Sequence, residues 1–329
     1  MTNTAEFNAL SQEEQIGRLE RLGRTALAEF GVVPTGIESL VHAENTTFRV
    51  DSEAGRYCLR ISRPGYQSSE NVRSEIALLS DLSAAGFRVP RPHQSRVVSA
   101  RVPEVPEARD CVLFGWMEGE FRKSDSMTGA DARLVGAAMA RQHAFTRDWV
   151  CPSGFKRQET HAWAFGERAP MLTDQPHPAL TEEDRALLLE VDAEARALLN
   201  ALPRDPSRFG LIHADMHAGN VLFEDDHVNV IDWDDTGWAF LYYDFASALA
   251  YESDRPEYAE VRDGMLEGYA SVIPLPPDCE KLIAPFIRLR IAGVANWVLE
   301  RSDNPMIRER APEWLAMFGR MIRGIRSEG

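Results

Sequence analysis

Two periodicities alternate along the first third of the chain. In residues 11–30 the apolar positions Ile16, Leu19, Leu22, Ala26, Leu27 and Phe30 recur at helical spacing behind a capping box formed by Ser11 and Glu14, which predicts an amphipathic helix. The period then drops to two. Residues 37–42, 46–51 and 56–61 are short, rich in β-branched and aromatic side chains, and separated by turn signals such as Glu53-Ala54-Gly55, so they predict a three-stranded antiparallel meander. Residues 69–85 return to helical spacing through Val72, Ile76, Leu79 and Leu82, with Gly86 placed as a C-terminal cap. Two further strands are predicted at 97–102 and 110–117. Five strands and one inserted helix make a first lobe, 1–117.

The pattern beyond Met117 is mainly helical. Residues 128–145 carry Leu134, Ala138, Met139 and Ala144 on a helical period, and 182–202 predict another helix. Between them, 151–178 is irregular, with Pro152, Gly154, Pro170, Pro176 and Pro178, a length of loop that in a compact domain is functional or mobile. Two short strands, around 221–223 and 228–231, flank the polar turn Glu224-Asp225-Asp226-His227. From Phe240 onward the pattern reads as helix, broken at Pro256, at 273–277 and at Asn304-Pro305. The expected fold class is therefore α+β in two lobes, 1–117 and 118–329.

Composition narrows the partners. The 329 residues are 44% hydrophobic and 26% charged, ordinary for a soluble globular chain. A net charge of -15, from 36 basic and 51 acidic side chains, argues against nucleic acid or an anionic membrane surface as a partner. Cys58, Cys111, Cys151 and Cys279 form no C-x-x-C pair, so reduced thiols are expected rather than a zinc site or disulfide framework. Residues 1–10 lack the basic and apolar regions of a leader, and no uninterrupted apolar run reaches the length of a membrane span, so a cytoplasmic protein is expected.

The candidate chemistry lies in His213-Ala214-Asp215-Met216-His217-Ala218-Gly219-Asn220. Phosphoryl transfer from ATP needs a carboxylate to orient the attacking hydroxyl, oxygen ligands for Mg²⁺, a cation on the phosphates and a partner that fixes that cation. Asp215 and Asn220, five residues apart in one loop, can present a base and a metal ligand to the same pocket. Asp232, twelve residues after Asn220 at the end of the following hairpin, can return its carboxylate beside the Asn220 amide. His213 is expected to brace the loop rather than bind metal. In the first lobe Arg60 is the candidate phosphate cation, with Glu75 as counter-ion and Glu70 as the competing choice; a surface ion pair is the alternative. Ala43-Glu44-Asn45-Thr46-Thr47-Phe48, although free of glycine, sits where a phosphate-covering loop would, with backbone N–H groups and the Asn45, Thr46 and Thr47 side chains as donors. The end of the strand at Trp116 and Met117 can offer backbone groups to adenine.

HADMHAGN, VIDWDD and LYYDFASAL together resemble the aminoglycoside phosphotransferase and choline kinase superfamily, which has a protein-kinase-like fold. ENTTFRV, YCLRISRPGY and IDWDDTGWAFLYYDFA are most similar to its bacterial branch of stress-response Ser/Thr kinases and type II homoserine kinases. The resemblance implies a five-stranded ATP-binding lobe and a larger helical catalytic and acceptor-binding lobe. It implies Asp215 as catalytic base, Asn220 and Asp232 as magnesium ligands, Arg60 with Glu75 at the ATP phosphates, and Asp244 as a buried brace. Arg60 departs from the lysine usual at its position; arginine keeps the charge and binds phosphate through a planar fork.

Other residues keep more than one reading. Asp234 and Asp235 can bind a second metal, attract a cationic substrate or lie solvated in a turn. His217, Trp233 and Trp238 are read as packing residues and His143 as a satisfied core histidine. Trp163, Phe165 and Trp297 line an acceptor pocket or fill the core. The expected activity is transfer of the ATP γ-phosphate to a small-molecule hydroxyl: an aminoglycoside, amino alcohol, homoserine-like compound or sugar. A protein Ser/Thr hydroxyl and a non-catalytic nucleotide-binding module are the alternatives.

Overall fold

The computed structural model describes residues 3–43, 45–123, 126–159, 177–302 and 304–325. They form two compact units whose boundary in sequence lies between Glu118 and Gly119, with the short stretch Cys151–Lys156 belonging to the first unit. Glu44, Trp163 and Phe165 lie outside the described residues.

In the first unit, helices α1 (Thr4–Asn8) and α2 (Gln12–Glu29) precede strands β1 (Pro34–His42), β2 (Thr46–Ser52) and β3 (Gly55–Ile61). Helix α3 (Ser69–Ala84) is followed by β4 (Val98–Ala100) and β5 (Arg109–Gly115). The five strands form one antiparallel sheet in the order β1-β2-β3-β5-β4. The expected meander, inserted helix and two further strands are thus all present. Alternation along β2 turns Phe48 and Val50 into the core and leaves Arg49 and Asp51 outside. Leu59 and Ile61 of β3 join them against Leu19, Leu22, Ala26 and Leu27 of α2.

Local chemistry sets the helix ends. Ser11 and Glu14 form the reciprocal box at the start of α2. After α3, Gly86 takes a left-handed backbone (φ 86°), its amide donating to Ser83 and the Phe87 amide to Leu82. This pair of bonds is a Schellman motif, and it explains why a glycine stands there. Helix α1, which the sequence pattern did not suggest, has its own box formed by Asn3 and Glu6.

The second unit opens with the short strand β6 (Glu120–Phe121) and helix α4 (Gly129–Asp148). Helix α5 (Glu182–Ala201) leads to β7 (Phe209–Ile212), β8 (Val221–Glu224), β9 (His227–Val230) and β10 (Gly237–Phe240). Helices α6 (Tyr242–Leu249), α7 (Tyr258–Ala270), α8 (Cys279–Glu300) and α9 (Pro305–Gly324) complete it. Strand β7 pairs with β10, and β6-β8-β9 form a separate antiparallel sheet. Strand β10 takes in residues 237–239, to which the pattern assigned no element, and Phe240, where helix was expected to begin. Four residues are too few for either period to declare itself.

Helices α4 and α7 touch backbone to backbone. A Cβ added to Gly136 would lie 2.1 Å from the Met265 carbonyl oxygen, one on Gly264 2.2 Å from that of Gly129, and one on Gly268 2.0 Å from that of Arg133. No side chain fits that seam. Helix α8, 22 residues long with an 18-residue stretch of mean hydropathy 1.5, is apolar enough by length and composition to cross a membrane, but Ile283, Phe286, Ile287, Leu289 and Ile291 bury it in the unit's core.

Candidate active site

Strand β7 delivers the chain into the loop 213–220 and β8 carries it away. Ala214 bends the loop with a left-handed backbone (φ 72°), a conformation that costs alanine about 1–2 kcal/mol. Asp244, in the first turn of α6 and fully buried, holds it there. Its Oδ1 accepts the Ala214 amide at 2.6 Å; its Oδ2 accepts the His213 amide at 3.1 Å and His143 Nε2 at 2.9 Å. Ser247 donates its hydroxyl to the Ala214 carbonyl at 2.9 Å. Three donors offset the desolvation of one carboxylate. His143 meets the Tyr269 hydroxyl at 3.0 Å on its other face and is a satisfied core histidine.

His213 ties the loop to the hairpin. Its Nδ1 accepts the Asp215 amide at 3.2 Å, so its proton sits on Nε2, which donates to the Ile231 carbonyl at 3.0 Å. Burial pushes its pKa down, against the pull of Asp244 and Asp215. A neutral imidazole with both nitrogens engaged is a brace. Trp233, buried and edge-on to the His213 ring at 4.8 Å, donates Nε1 to the Val230 carbonyl at 2.9 Å and packs as expected.

Around Asp215 the bonds converge. Asn220 Nδ2 donates to the Asp215 carbonyl and to Asp215 Oδ2, each at 2.9 Å. Both acceptors are oxygens, which fixes the amide: its NH₂ faces Asp215 and its carbonyl oxygen faces away. That Oδ1 accepts no hydrogen bond from the described residues. His217, read from sequence as packing, instead approaches Asp215 Oδ2 with Nε2 at 3.4 Å while Nδ1 accepts the Gly219 amide at 3.0 Å. Arg290, a residue that sequence reasoning missed, reaches from α8 to ion-pair with Asp215 Oδ1. Burial alone would raise the Asp215 pKa; the His217 imidazole and the Arg290 guanidinium outweigh it and hold the carboxyl well below the usual range. Asp215 is ionised.

The Ile231 amide donates to the Asn220 carbonyl at 2.9 Å, so the residue preceding Asp232 lies opposite Asn220. Asp232 itself falls just beyond β9, exposed, with a left-handed backbone (φ 61°). Asp234 is buried, which removes the solvated-turn reading for it, and Asp235 is half-buried. The carbonyls of Asp234 and Thr236 both accept from the buried guanidinium of Arg157, which pins the turn after Asp232. An amide oxygen turned outward and a carboxylate across the same hairpin suit Mg²⁺, which takes few protein ligands and completes its shell with phosphate and water. Among the described residues no cluster of three His, Cys, Asp or Glu side chains could hold a metal unaided.

In the first unit Arg60 and Glu75 meet in a two-pronged ion pair, Nη1 to Oε1 at 2.8 Å and Nη2 to Oε2 at 2.5 Å. Both are buried, at 5% and 1% exposure, so this is no surface pair. Glu70 pairs with Lys156 instead, at 2.7 Å. Asn45 accepts the Arg63 amide on its side chain at 3.3 Å. Thr46 is buried, its hydroxyl 2.7 Å from His42 Nδ1. The Trp116 amide donates to the Arg56 carbonyl at 3.2 Å, its ring lies below Arg49 and Arg56, and Met117 is half-buried. Trp297 of α8 is also half-buried.

Known proteins share this arrangement of elements. Residues 37–282 match the model of the phosphotransferase enzyme family (APH). An amicoumacin kinase of Bacillus subtilis (strain 168) is 25% identical over 320 residues, 92% of this chain and 91% of the relative. A homoserine kinase of Methylocella silvestris is 29% identical over 273 residues, 77% of this chain and 78% of the relative. A microcompartment-associated aminopropanol kinase superposes with a TM-score of 0.81 at 24% identity, covering 93% of this chain and 99% of the other, and so shares its fold. The non-catalytic alternative has no support beside these matches. The chain belongs to the phosphotransferase enzyme family and is a kinase.

Proposed function

We propose that this kinase transfers the γ-phosphate of ATP to the hydroxyl of a small amine-bearing alcohol, with Asp215 as its catalytic base. The observation that carries the reading is the Asp215–Asn220 pair: an ionised carboxylate held by the amide whose oxygen is turned outward, as a metal ligand's would be. In the proposed step the acceptor oxygen bonds to the γ-phosphorus, the bond to the leaving ADP oxygen breaks, and the hydroxyl proton passes to Asp215. A carboxylate of low proton affinity is suited to orienting that hydroxyl and taking its proton late, in keeping with a loose transition state. Asn220 and Asp232 would hold Mg²⁺, which supplies neutralising charge on the phosphates. Arg60, fixed by Glu75, would contact the phosphates from the first unit, with Asn45, Thr46, Trp116 and Met117 as further ATP contacts. On this reading residues 1–117 bind ATP, and 118–329 carry catalysis and the acceptor.

The acceptor class is supported by the relatives. Aminopropanol and homoserine, carried in the names of two of them, each place an amine near a hydroxyl, and the strongly acidic chain favours a cationic partner. The test is a magnesium-ATP assay against a mixed set of amino alcohols, sugars, aminoglycosides, amino acids and proteins, with Asp215→Asn as control. Transfer to an amine-bearing alcohol is expected, and in the variant it falls by about 10³-fold or more while ATP still binds. Transfer to proteins alone, or turnover undiminished in Asp215→Asn, overturns the reading.

A further inference from the structure

We infer that Arg290 is a positioning residue for phosphoryl transfer, holding the Asp215 carboxylate in the orientation that receives the acceptor hydroxyl. The inference rests on Asp215 being the base. The two Asp215 oxygens are held from different elements: Arg290 Nη2 engages Oδ1, whereas Asn220 Nδ2 and His217 Nε2 approach Oδ2. Loop 213–220 supplies only the second of these grips. Without Arg290 the carboxylate keeps one tether and can turn about it; with Arg290 its plane is set from both sides.

The placement of this arginine calls for an explanation beyond stability. Its side chain is 14% exposed, its Nε has no hydrogen-bond partner among the described residues, and its guanidinium lies 5.9 Å from the Tyr243 ring centroid. Stripping water from a guanidinium and a carboxylate makes a buried pair a weak source of folding stability, often no better than apolar side chains of the same size. Helix α8 is apolar on the turn before it, where Phe286, Ile287 and Leu289 are buried. What Arg290 adds is a fixed direction for the one carboxylate in the loop that faces both Asn220 and His217.

Arg288, two residues earlier on the same helix, provides the contrast. It donates to the Ile322 carbonyl at 3.2 Å and pairs with Glu194 at 3.0 Å, joining α8 to α9 and α5 without touching the loop. A purely structural arginine on α8 looks like Arg288. The two positions therefore separate positioning from support.

The test compares Arg290→Ala, Arg290→Lys and Arg288→Ala in the full chain with the acceptor found by the assay above. Arg290→Ala is expected to lower kcat by about 10²-fold with the KM for ATP within about twofold of the parent, since misplacing a reacting group by an ångström costs about that much. Arg290→Lys, which keeps the charge and the fill, is expected to recover part of the loss. Guanidinium ion at a non-denaturing concentration is expected to raise kcat of Arg290→Ala at least tenfold and to leave Asp215→Asn inert. Arg288→Ala is expected to keep the parent kcat. Undiminished kcat in Arg290→Ala, or a loss that neither lysine nor guanidinium relieves, overturns the inference; if Arg290→Ala does not fold, the lysine variant alone decides, parental or abolished kcat both counting against it. Failure of the underlying reading looks different: Asp215→Asn then turns over normally, whatever Arg290 does.

Discussion

At the scale of single residues, carboxylates in each unit have surroundings that give them different tasks. Asp244 is closed off by three donors and has no room for a ligand, whereas Asp215 keeps 18% of its side chain accessible. Glu75 is the third case, a buried anion whose one visible task is to hold Arg60. Removing it strands a guanidinium in the interior, so Glu75→Ala is expected to cost about 3–5 kcal/mol of stability, read as a shift in a denaturant midpoint. Glu70→Ala breaks only the exposed pair with Lys156 and is expected to leave that midpoint unmoved. Equal effects of the two would contradict the division between a structural clamp and a surface contact.

The local motifs were legible because their partners are close in sequence. Asp215 and Asn220 share one loop, and Ser11 with Glu14 caps its helix three residues away. Arg290 was not legible. Helical periodicity tells which face of α8 a residue occupies, but says nothing of a carboxylate 75 residues earlier. The packing reading of His217 was incomplete: its ring does lie edge-on to Tyr251, but the bond from the Gly219 amide to its Nδ1 also turns Nε2 toward Asp215.

At the scale of elements, the α4–α7 seam carries a cost that propensity would advise against. Glycine inside a helix is about 1 kcal/mol worse than alanine, and three glycines of these two helices leave no space for a Cβ. Backbone contact outweighs propensity here, so Gly136→Ala is expected to lower the melting temperature by several degrees as the helices are forced apart. Gly17→Ala on α2, where an added Cβ meets nothing within 4 Å, is expected to raise it slightly. Thermal unfolding of both variants checks the opposite signs. The sequence offered Gly129, Gly136, Gly264 and Gly268 openly. Their purpose shows only when the two helices are laid together, because either helix alone would be better with alanine.

At the scale of the whole molecule, a charge of -15 is large for a chain that must bind the anion ATP. The local cation Arg60 is already matched by Glu75, so on the proposed reading binding the triphosphate would fall to short-range donors and to magnesium rather than to the protein's overall field. A cationic acceptor feels the opposite. Its KM is expected to rise with ionic strength as the attraction is screened, while that of a neutral alcohol of similar size stays level; steady-state kinetics from about 0.01 to 0.5 M salt would show it. A flat response for the amine would remove charge from the account of acceptor choice.

The left-handed backbone at Ala214 has a consequence for anyone scanning this chain for lost activity. The bend is enforced from α6 by Asp244, through backbone amides that every substitution at 213 or 214 except proline retains. Changing Asp244 is expected to let the loop relax toward an ordinary conformation and tilt Asp215 away, at a cost in stability from the buried donors it leaves unpaired. Such a scan would score Asp244 beside Asp215 as indispensable. Only a ligand-contact measurement would separate Asp215, proposed to meet the substrate, from Asp244, which is fully buried behind the loop.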